Sequence, residues 1–210
     1  MRKERIGRFS AVAVMTFFAA ALVLNPSFSR ADEHLEPRDL TGKSVAIVAG
    51  EGLHDGETLF PMGFLLNRGA EITVVGVESG YVKAYNSDTW VFVERSVDEV
   101  SVDDFDAIVI PGGRSPANLR EHQNVVNFVR GAVEGEKIVA AICHGPQLLI
   151  AAGVMEGRAA TCFPNMAEEI IEAGSEYDDV PMIRDGNIIT SRVPDDLSEF
   201  VAAIEQALSE

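Results

Sequence analysis

Short apolar runs alternate with amphipathic stretches along most of the chain. Residues 43–50, 72–76, 106–110 and 138–142 are rich in Val, Ile and Ala and nearly free of charge. Runs of that kind read as parallel strands covered on both faces. Between them, residues 58–68 place Leu59, Phe60, Phe64, Leu65 and Leu66 at helical spacing, with Pro61 in the first turn and Gly69 as the stop. Residues 124–133 bring Val125, Val126, Phe128 and Val129 to one helical face, and 195–208 do the same with Leu197, Phe200, Val201, Ile204 and Leu208.

The remaining segments fit the same scheme. Residues 80–97 are aromatic and β-branched around Asn86-Ser87-Asp88, which predicts a small antiparallel excursion. Residues 159–163 read as a short strand and 166–173 as a helix stopped by Gly174. Asp185-Gly186 between two apolar runs predicts a hairpin. Strand–helix alternation of this kind predicts an α/β fold with a mainly parallel sheet and helices on both sides. Ligands then lie beyond the carboxyl ends of the strands. Three loops qualify, at 51–57, 111–116 and 143–146, and they are expected to line one crevice.

The last of these carries the most chemistry. Residues 138–142 form an apolar strand, Gly145 and Pro146 break it, and residues 147–152 resume with good helix formers. Pro146 suits a first helical turn, where its missing N–H has no partner to lose. Cys143 therefore sits at a strand-to-helix turn, in the order Ala141-Ile-Cys-His-Gly145. That spacing parallels the nucleophile elbow of hydrolases, with Cys in place of Ser. A helix start beside a thiol favours thiolate, so a lowered Cys143 pKa is expected, and the His144 N–H is placed to donate to an oxyanion. The plainer reading is a buried structural Cys with an incidental His beside it.

Composition narrows the partners. The chain carries 33 acidic and 17 basic residues, a net charge of −16. Such a surface repels nucleic acid and anionic lipid. Two cysteines make no disulfide scaffold, and His34, His54, His122 and His144 are too scattered for a zinc pattern, so no metal and no cofactor is expected. Residues 1–31 look like a secretory signal. Arg2, Lys3, Arg5 and Arg8 make a basic start, residues 9–24 are apolar, and Ser29-Arg30-Ala31 presents small residues before Asp32. Cleavage after Ala31 would give a secreted or periplasmic protein with no membrane contact; an uncleaved N-terminal anchor is the alternative. Residues 32–42 read as a loose polar leader and 43–208 as the domain.

Four motifs in order resemble the ThiJ/PfpI family of the class I glutamine-amidotransferase-like superfamily. They are Ala141-Ile-Cys-His-Gly-Pro146, Ile110-Pro-Gly-Gly-Arg114, Gly153-Val-Met-Glu-Gly-Arg158 and Thr190-Ser-Arg-Val-Pro-Asp-Asp-Leu197. The resemblance implies a flavodoxin-like three-layer α/β/α sandwich with a nucleophile elbow. It implies Cys143 as nucleophile, His144 as its neighbour, and Glu57 as the carboxyl group that hydrogen-bonds the Cys. Gly112 and Gly113 would form the turn that donates toward an oxyanion. A carboxyl group beside a thiolate must be largely protonated, and a buried one has the raised pKa that permits this. The plainer reading of Glu57 is a helix-start carboxylate.

The chain departs from the family at Ala117, where PfpI-type proteases carry the acidic residue that orients the active-site His. Glu121 or a leader carboxylate is a substitute to consider. His54 stands where a carboxylate is frequent and is either an accessory base or an exposed loop residue. Cys162 is either a buried spectator or a trap for oxidised Cys143. Arg114 and Arg192 are expected in structural ion pairs, though either could face the crevice. The resemblance implies a cysteine-dependent hydrolase or lyase, of deglycase or glyoxalase-III type, acting on small carbonyl or peptide substrates. A redox or stress protein that uses oxidation of Cys143 without turnover is the alternative. A homo-oligomer, dimer or hexamer, is implied by the family alone.

Overall fold

The structure, a computed structural model, describes residues 37–210. The expected signal segment, cleavage site and anchor lie outside the described residues, as do residues 32–36 of the expected leader. In chain order the strands are β1 (Ser44–Val48), β2 (Glu71–Gly76), β3 (Gly80–Lys83), β4 (Trp90–Val93), β5 (Arg95–Ser96) and β6 (Ala107–Ile110). They continue with β7 (Ile138–Ile142), β8 (Ala159–Ala160), β9 (Glu176–Tyr177), β10 (Met182–Asp185) and β11 (Ile188–Ser191). The helices are α1 (Asp55–Asn67), α2 (Ser115–Leu119), α3 (Gln123–Glu134), α4 (Pro146–Ala152), α5 (Ala167–Glu172) and α6 (Leu197–Leu208).

The main sheet runs β10-β11-β7-β6-β1-β2-β5. All its pairs are parallel except the β10–β11 hairpin. Strand side chains alternate between two cores, as a period of two requires. Ala46, Val48, Ile108, Ile110, Val139 and Ala141 face α3 and α4, while Val45, Ile47, Ala107, Val109, Ala140 and Ile142 face α6 and one side of α1. The flavodoxin-like three-layer α/β/α sandwich is thus observed, with helices on both faces of a mostly parallel sheet. The chain goes from β1 outward to β2, then crosses to β6 on the other side. The switch point lies between β1 and β6, and the loops that leave those two strands flank it.

Three local expectations need correction. Residues 37–42 are not a loose leader. Leu40 is fully buried, its N–H donates to the Arg68 carbonyl at 2.8 Å, and the Arg38 N–H donates to Glu205. The strand expected over 159–163 shortens to two residues, because Phe163 opens a 3₁₀ turn at Pro164–Met166. Helix α1 begins earlier than expected, and its apolar residues do not share one buried face. Leu65 is buried, but Leu59, Phe60 and Leu66 are exposed. Leu59 and Leu66 stand with Trp90 and Phe92 around an open apolar hollow of about 540 Å³ between α1 and β4. Their spacing fixed a helix but not which side of it meets the sheet.

Leu65→Ala leaves a void in the core and is expected to cost about 2–5 kcal/mol. Leu66→Ala, one position on and half-exposed, is expected to stay within about 0.5 kcal/mol of wild type. Urea denaturation compares the two, and equal losses would contradict the sidedness of α1.

Candidate active site

The three predicted loops converge. The Arg114 N–H donates to the Gly52 carbonyl at 2.8 Å, and the His54 N–H donates to the Gly112 carbonyl at 3.3 Å. The Gly112 N–H in turn donates to Glu57 Oε2 at 2.8 Å. Cys143 follows β7 on a turn with φ +62°, a left-handed conformation that is uncommon for a side-chain-bearing residue and is the strained elbow expected of a nucleophile. Gly145 makes this turn possible. A Cβ there would lie 2.4 Å from the Ile110 carbonyl oxygen.

Glu57 sits in the first turn of α1, fully buried, yet two residues before the exposed Leu59. Burial pushes its carboxyl up to about 7, against the opposing hydrogen bonds from Gly112 and Cys143. Its Oε1 has no protein partner among the described residues. Cys143 is 6% exposed. Its thiol is pushed up to about 12, first by burial, then by the charge of Glu57 and the hydrogen bond to it. The backbone N–H groups of Gly113 and His144 act the other way and are outweighed. The expected lowering of the Cys143 pKa is therefore corrected: the helix start contributes, but desolvation and a neighbouring carboxyl contribute more. Cys143 and Glu57 titrate as a pair, and a thiolate forms most readily while Glu57 keeps the proton.

The expected donor role of Gly112 is corrected too, because its N–H is committed to Glu57. The N–H groups that face the sulfur belong to Gly113 and His144. His144 Nδ1 lies 3.2 Å from Cys143 Sγ. Its ring stacks on Phe163, centroids 4.9 Å apart, and bonds the Asn165 side chain. Burial holds its pKa below the usual histidine value. A neutral carboxamide thus orients the ring, which neither Glu121 nor a leader carboxylate does among the described residues. Glu169 is the acidic group nearest in effect, and it is engaged by Arg120 and Gln147. Asn165 and Phe163 carried no signal in the sequence, because nothing in their spacing ties residues 163–165 to the elbow.

His54 is the N-cap of α1. Its Nδ1 accepts from the Glu57 N–H at 3.4 Å, and burial lowers its pKa. It holds the residue that neighbours the sulfur and shows no contact with the sulfur itself. Cys162 is fully buried in the core on the α3/α4 side, whereas Cys143 belongs to the core on the α1/α6 side. Both thiols are free, and the Phe163 N–H, one residue on from Cys162, donates to the Cys143 carbonyl at 3.0 Å. Arg192 pairs with Asp179 and Asp196 as expected. Arg114 makes no ion pair among the described residues. It lies over the Tyr85 ring, 5.3 Å from the centroid. Tyr85 comes from the excursion between β3 and β4, and its N–H donates to the Leu53 carbonyl at 3.1 Å. Beside the elbow a cavity of about 340 Å³ opens among Tyr85, Gly113, Arg114, Ala117, His144 and Gln147. Among the described residues no cluster of three or more metal-ligating side chains is present.

A strained cysteine elbow at the switch point of a parallel sheet, with a buried carboxyl and an imidazole against the sulfur, defines a class of α/β protein built around one reactive cysteine. The chain belongs to the DJ-1/PfpI family, whose model matches residues 43–207. It is 38% identical over 165 residues to a deglycase of Pyrococcus abyssi (strain GE5 / Orsay), covering 77% of this chain and 99% of that one. It is 37% identical over 160 residues to protein/nucleic acid deglycase 2 of Escherichia coli (strain K12), covering 75% and 93%. Among solved structures it is similar to Drosophila melanogaster DJ-1beta, with a TM-score of 0.74, 30% identity, and coverage of 80% of this chain and 90% of that one.

Two outcomes test the Cys143–Glu57 pair. A carboxyl whose folded pKa is raised contributes its stability while protonated and loses it as pH climbs from its ordinary value toward about 7. Relative to Glu57→Gln, the wild type should lose stability between pH 5 and pH 8, read from urea midpoints at each pH; a constant difference would refute the raised carboxyl. The same substitution removes the charge that holds the thiol up, so the pH profile of Cys143 alkylation by iodoacetamide should move to lower pH. A shift upward would contradict the coupling.

Proposed function

We propose that this protein is a cysteine-dependent enzyme of the deglycase and glyoxalase-III type, acting on 2-oxoaldehydes and their adducts. The observation that carries the reading is the sulfur of Cys143 held 3.2 Å from His144 Nδ1 and against a carboxyl group poised near neutrality. A group that titrates near 7 both accepts and returns protons at neutral pH. Names of the relatives point the same way: two of them are deglycases.

The chemistry follows from the placement. The S–H adds across the aldehyde C=O, sulfur to carbon and proton to oxygen, giving a hemithioacetal. The N–H groups of Gly113 and His144 hold the developing oxyanion. Glu57 takes the proton from the carbon that now bears sulfur and returns it to the adjacent former ketone carbon, which leaves a thioester. Water cleaves the thioester to a 2-hydroxy acid and restores the thiol. In an amine adduct, the amine departs with a proton as the S–C bond forms.

Peptide hydrolysis fits less well. It needs an imidazolium to protonate a leaving amine, and a carboxylate orienter stabilises that cation. Here the partner of His144 is the uncharged Asn165, and burial already disfavours the cation. A non-turnover redox role, in which Cys143 is oxidised beside Glu57, is separated from this reading by turnover of the oxoaldehyde.

Purified protein and Cys143→Ser are to be assayed on methylglyoxal, on its amine and thiol adducts, and on casein. Wild type should convert the oxoaldehyde and its adducts, with casein untouched, and Cys143→Ser should lose at least about 100-fold. Full activity in Cys143→Ser, or casein cleavage without oxoaldehyde turnover, would refute the proposal.

A further inference from the structure

The cavity beside the elbow is charged against the trend of the chain. Acidic residues outnumber basic ones 33 to 17 in the whole sequence. Yet among the described residues the cavity wall holds one permanent cation, Arg114, and no carboxylate. Its remaining polar lining, Tyr85, Asn118, His144 and Gln147, is uncharged near neutral pH, since burial keeps the His144 pKa low. Most arginines of the domain are spoken for. Arg68, Arg95, Arg120, Arg158, Arg184 and Arg192 each pair with an Asp or Glu. Arg114 pairs with none among the described residues, and its guanidinium makes no hydrogen bond there either.

Its position is nevertheless built. The Arg114 N–H is tied to the Gly52 carbonyl, and the guanidinium lies over Tyr85, 5.3 Å from the ring centroid. Tyr85 is itself fixed by its bond to Leu53. A guanidinium with no hydrogen bond among the described residues keeps its N–H groups free, and they form the fork that matches a carboxylate. Gly113, the residue before it, presents its N–H to the Cys143 sulfur. A ligand whose reacting carbon meets the sulfur therefore lies beside the cavity that Arg114 lines, since Gly113 and His144 flank both. Ala117 and Asn118 leave the charge of Arg114 uncompensated on the remaining side.

We propose that Arg114 is a specificity-determining residue that holds a carboxylate of the substrate, so that the enzyme prefers oxoaldehyde adducts of carboxylate-bearing molecules, such as amino acids with a free carboxyl group, over the same adducts in neutral form. The choice of adducts as substrates rests on the function proposed above; the carboxylate subsite rests on the cavity and does not need turnover to be seen.

The test has a binding arm and a turnover arm, both at fixed ionic strength. In the first, N-acetylalanine and N-acetylalaninamide compete with iodoacetamide, and labelling of Cys143 is read separately from Cys162 by mass spectrometry. In the second, the hemithioacetals of methylglyoxal with N-acetylcysteine and with N-acetylcysteinamide are the substrates. The two members of each pair differ only in carboxylate against carboxamide. Wild type should prefer the carboxylate by about 10-fold or more in both arms, the scale of one charge-assisted contact. In Arg114→Ala that ratio should fall to about 1, and in Arg114→Lys, which keeps the charge and loses the fork, it should lie between. Equal treatment of both partners by wild type, or a preference that survives Arg114→Ala, would overturn the subsite. Selective protection without turnover of either adduct would sustain the subsite and refute the proposed reaction. Turnover of both adducts with no selectivity would do the reverse.

Discussion

The site depends on one backbone approach. Gly112 lies so close to its neighbours that a Cβ would stand 2.6 Å from Glu57 Oε2, 2.7 Å from the Cys143 Cβ and 2.8 Å from the His144 nitrogen. Those distances are shorter than real side chains tolerate, so any other residue at 112 would push the carboxyl and the elbow apart. The missing side chain lets three loops from three parts of the chain share one small volume. It also turns the Gly112 N–H onto Glu57, which fixes the carboxyl next to the sulfur.

Crowding of that kind sets the electrostatics. Two acids brought together out of water each resist ionisation, and the site answers with three backbone N–H groups, one on the carboxyl and two on the sulfur. The balance leaves the carboxyl titrating at about 7 and the thiol pushed up to about 12. A reactive cysteine is often pictured as a free thiolate waiting at a helix start. Here burial and a carboxyl drawn from the far side of the switch point outweigh the backbone N–H groups of Gly113 and His144. The fold makes this arrangement available because β1 and β6 are adjacent in the sheet while the chain between them visits β2 and the excursion.

The excursion itself has a function in this geometry. It is a separate two-stranded ribbon, β3 with β4, rather than part of the main sheet. Its turn carries Tyr85 onto the loop after β1, and Asn86 onto the first residue of α1 at Asp55. One short insertion thus steadies the helix that holds Glu57 and also supplies the aromatic face on which Arg114 lies.

The sequence by itself determined the core strands β1, β2, β6 and β7, most helices, the elbow at Cys143 and the three loops around it. These are local or periodic properties: apolar runs, turn residues, and the spacing of a nucleophile before a Gly-Pro. Glu57 was legible only through resemblance, since a lone carboxyl at a helix start has a simpler use. Tertiary structure decided what periodicity leaves open. A period of two says that neighbouring side chains face apart, but not which core each one enters, so the opposite placement of Cys143 and Cys162 appeared only with the layers in place. Likewise the outward turn of Leu59, Phe60 and Leu66, the support of His144 by Phe163 and Asn165, and the placement of Arg114 over Tyr85 depend on residues far away in the chain. The reversal of the Cys143 pKa has the same origin, because burial and a distant carboxyl are properties of the packed site and leave no mark on the residues either side of the cysteine.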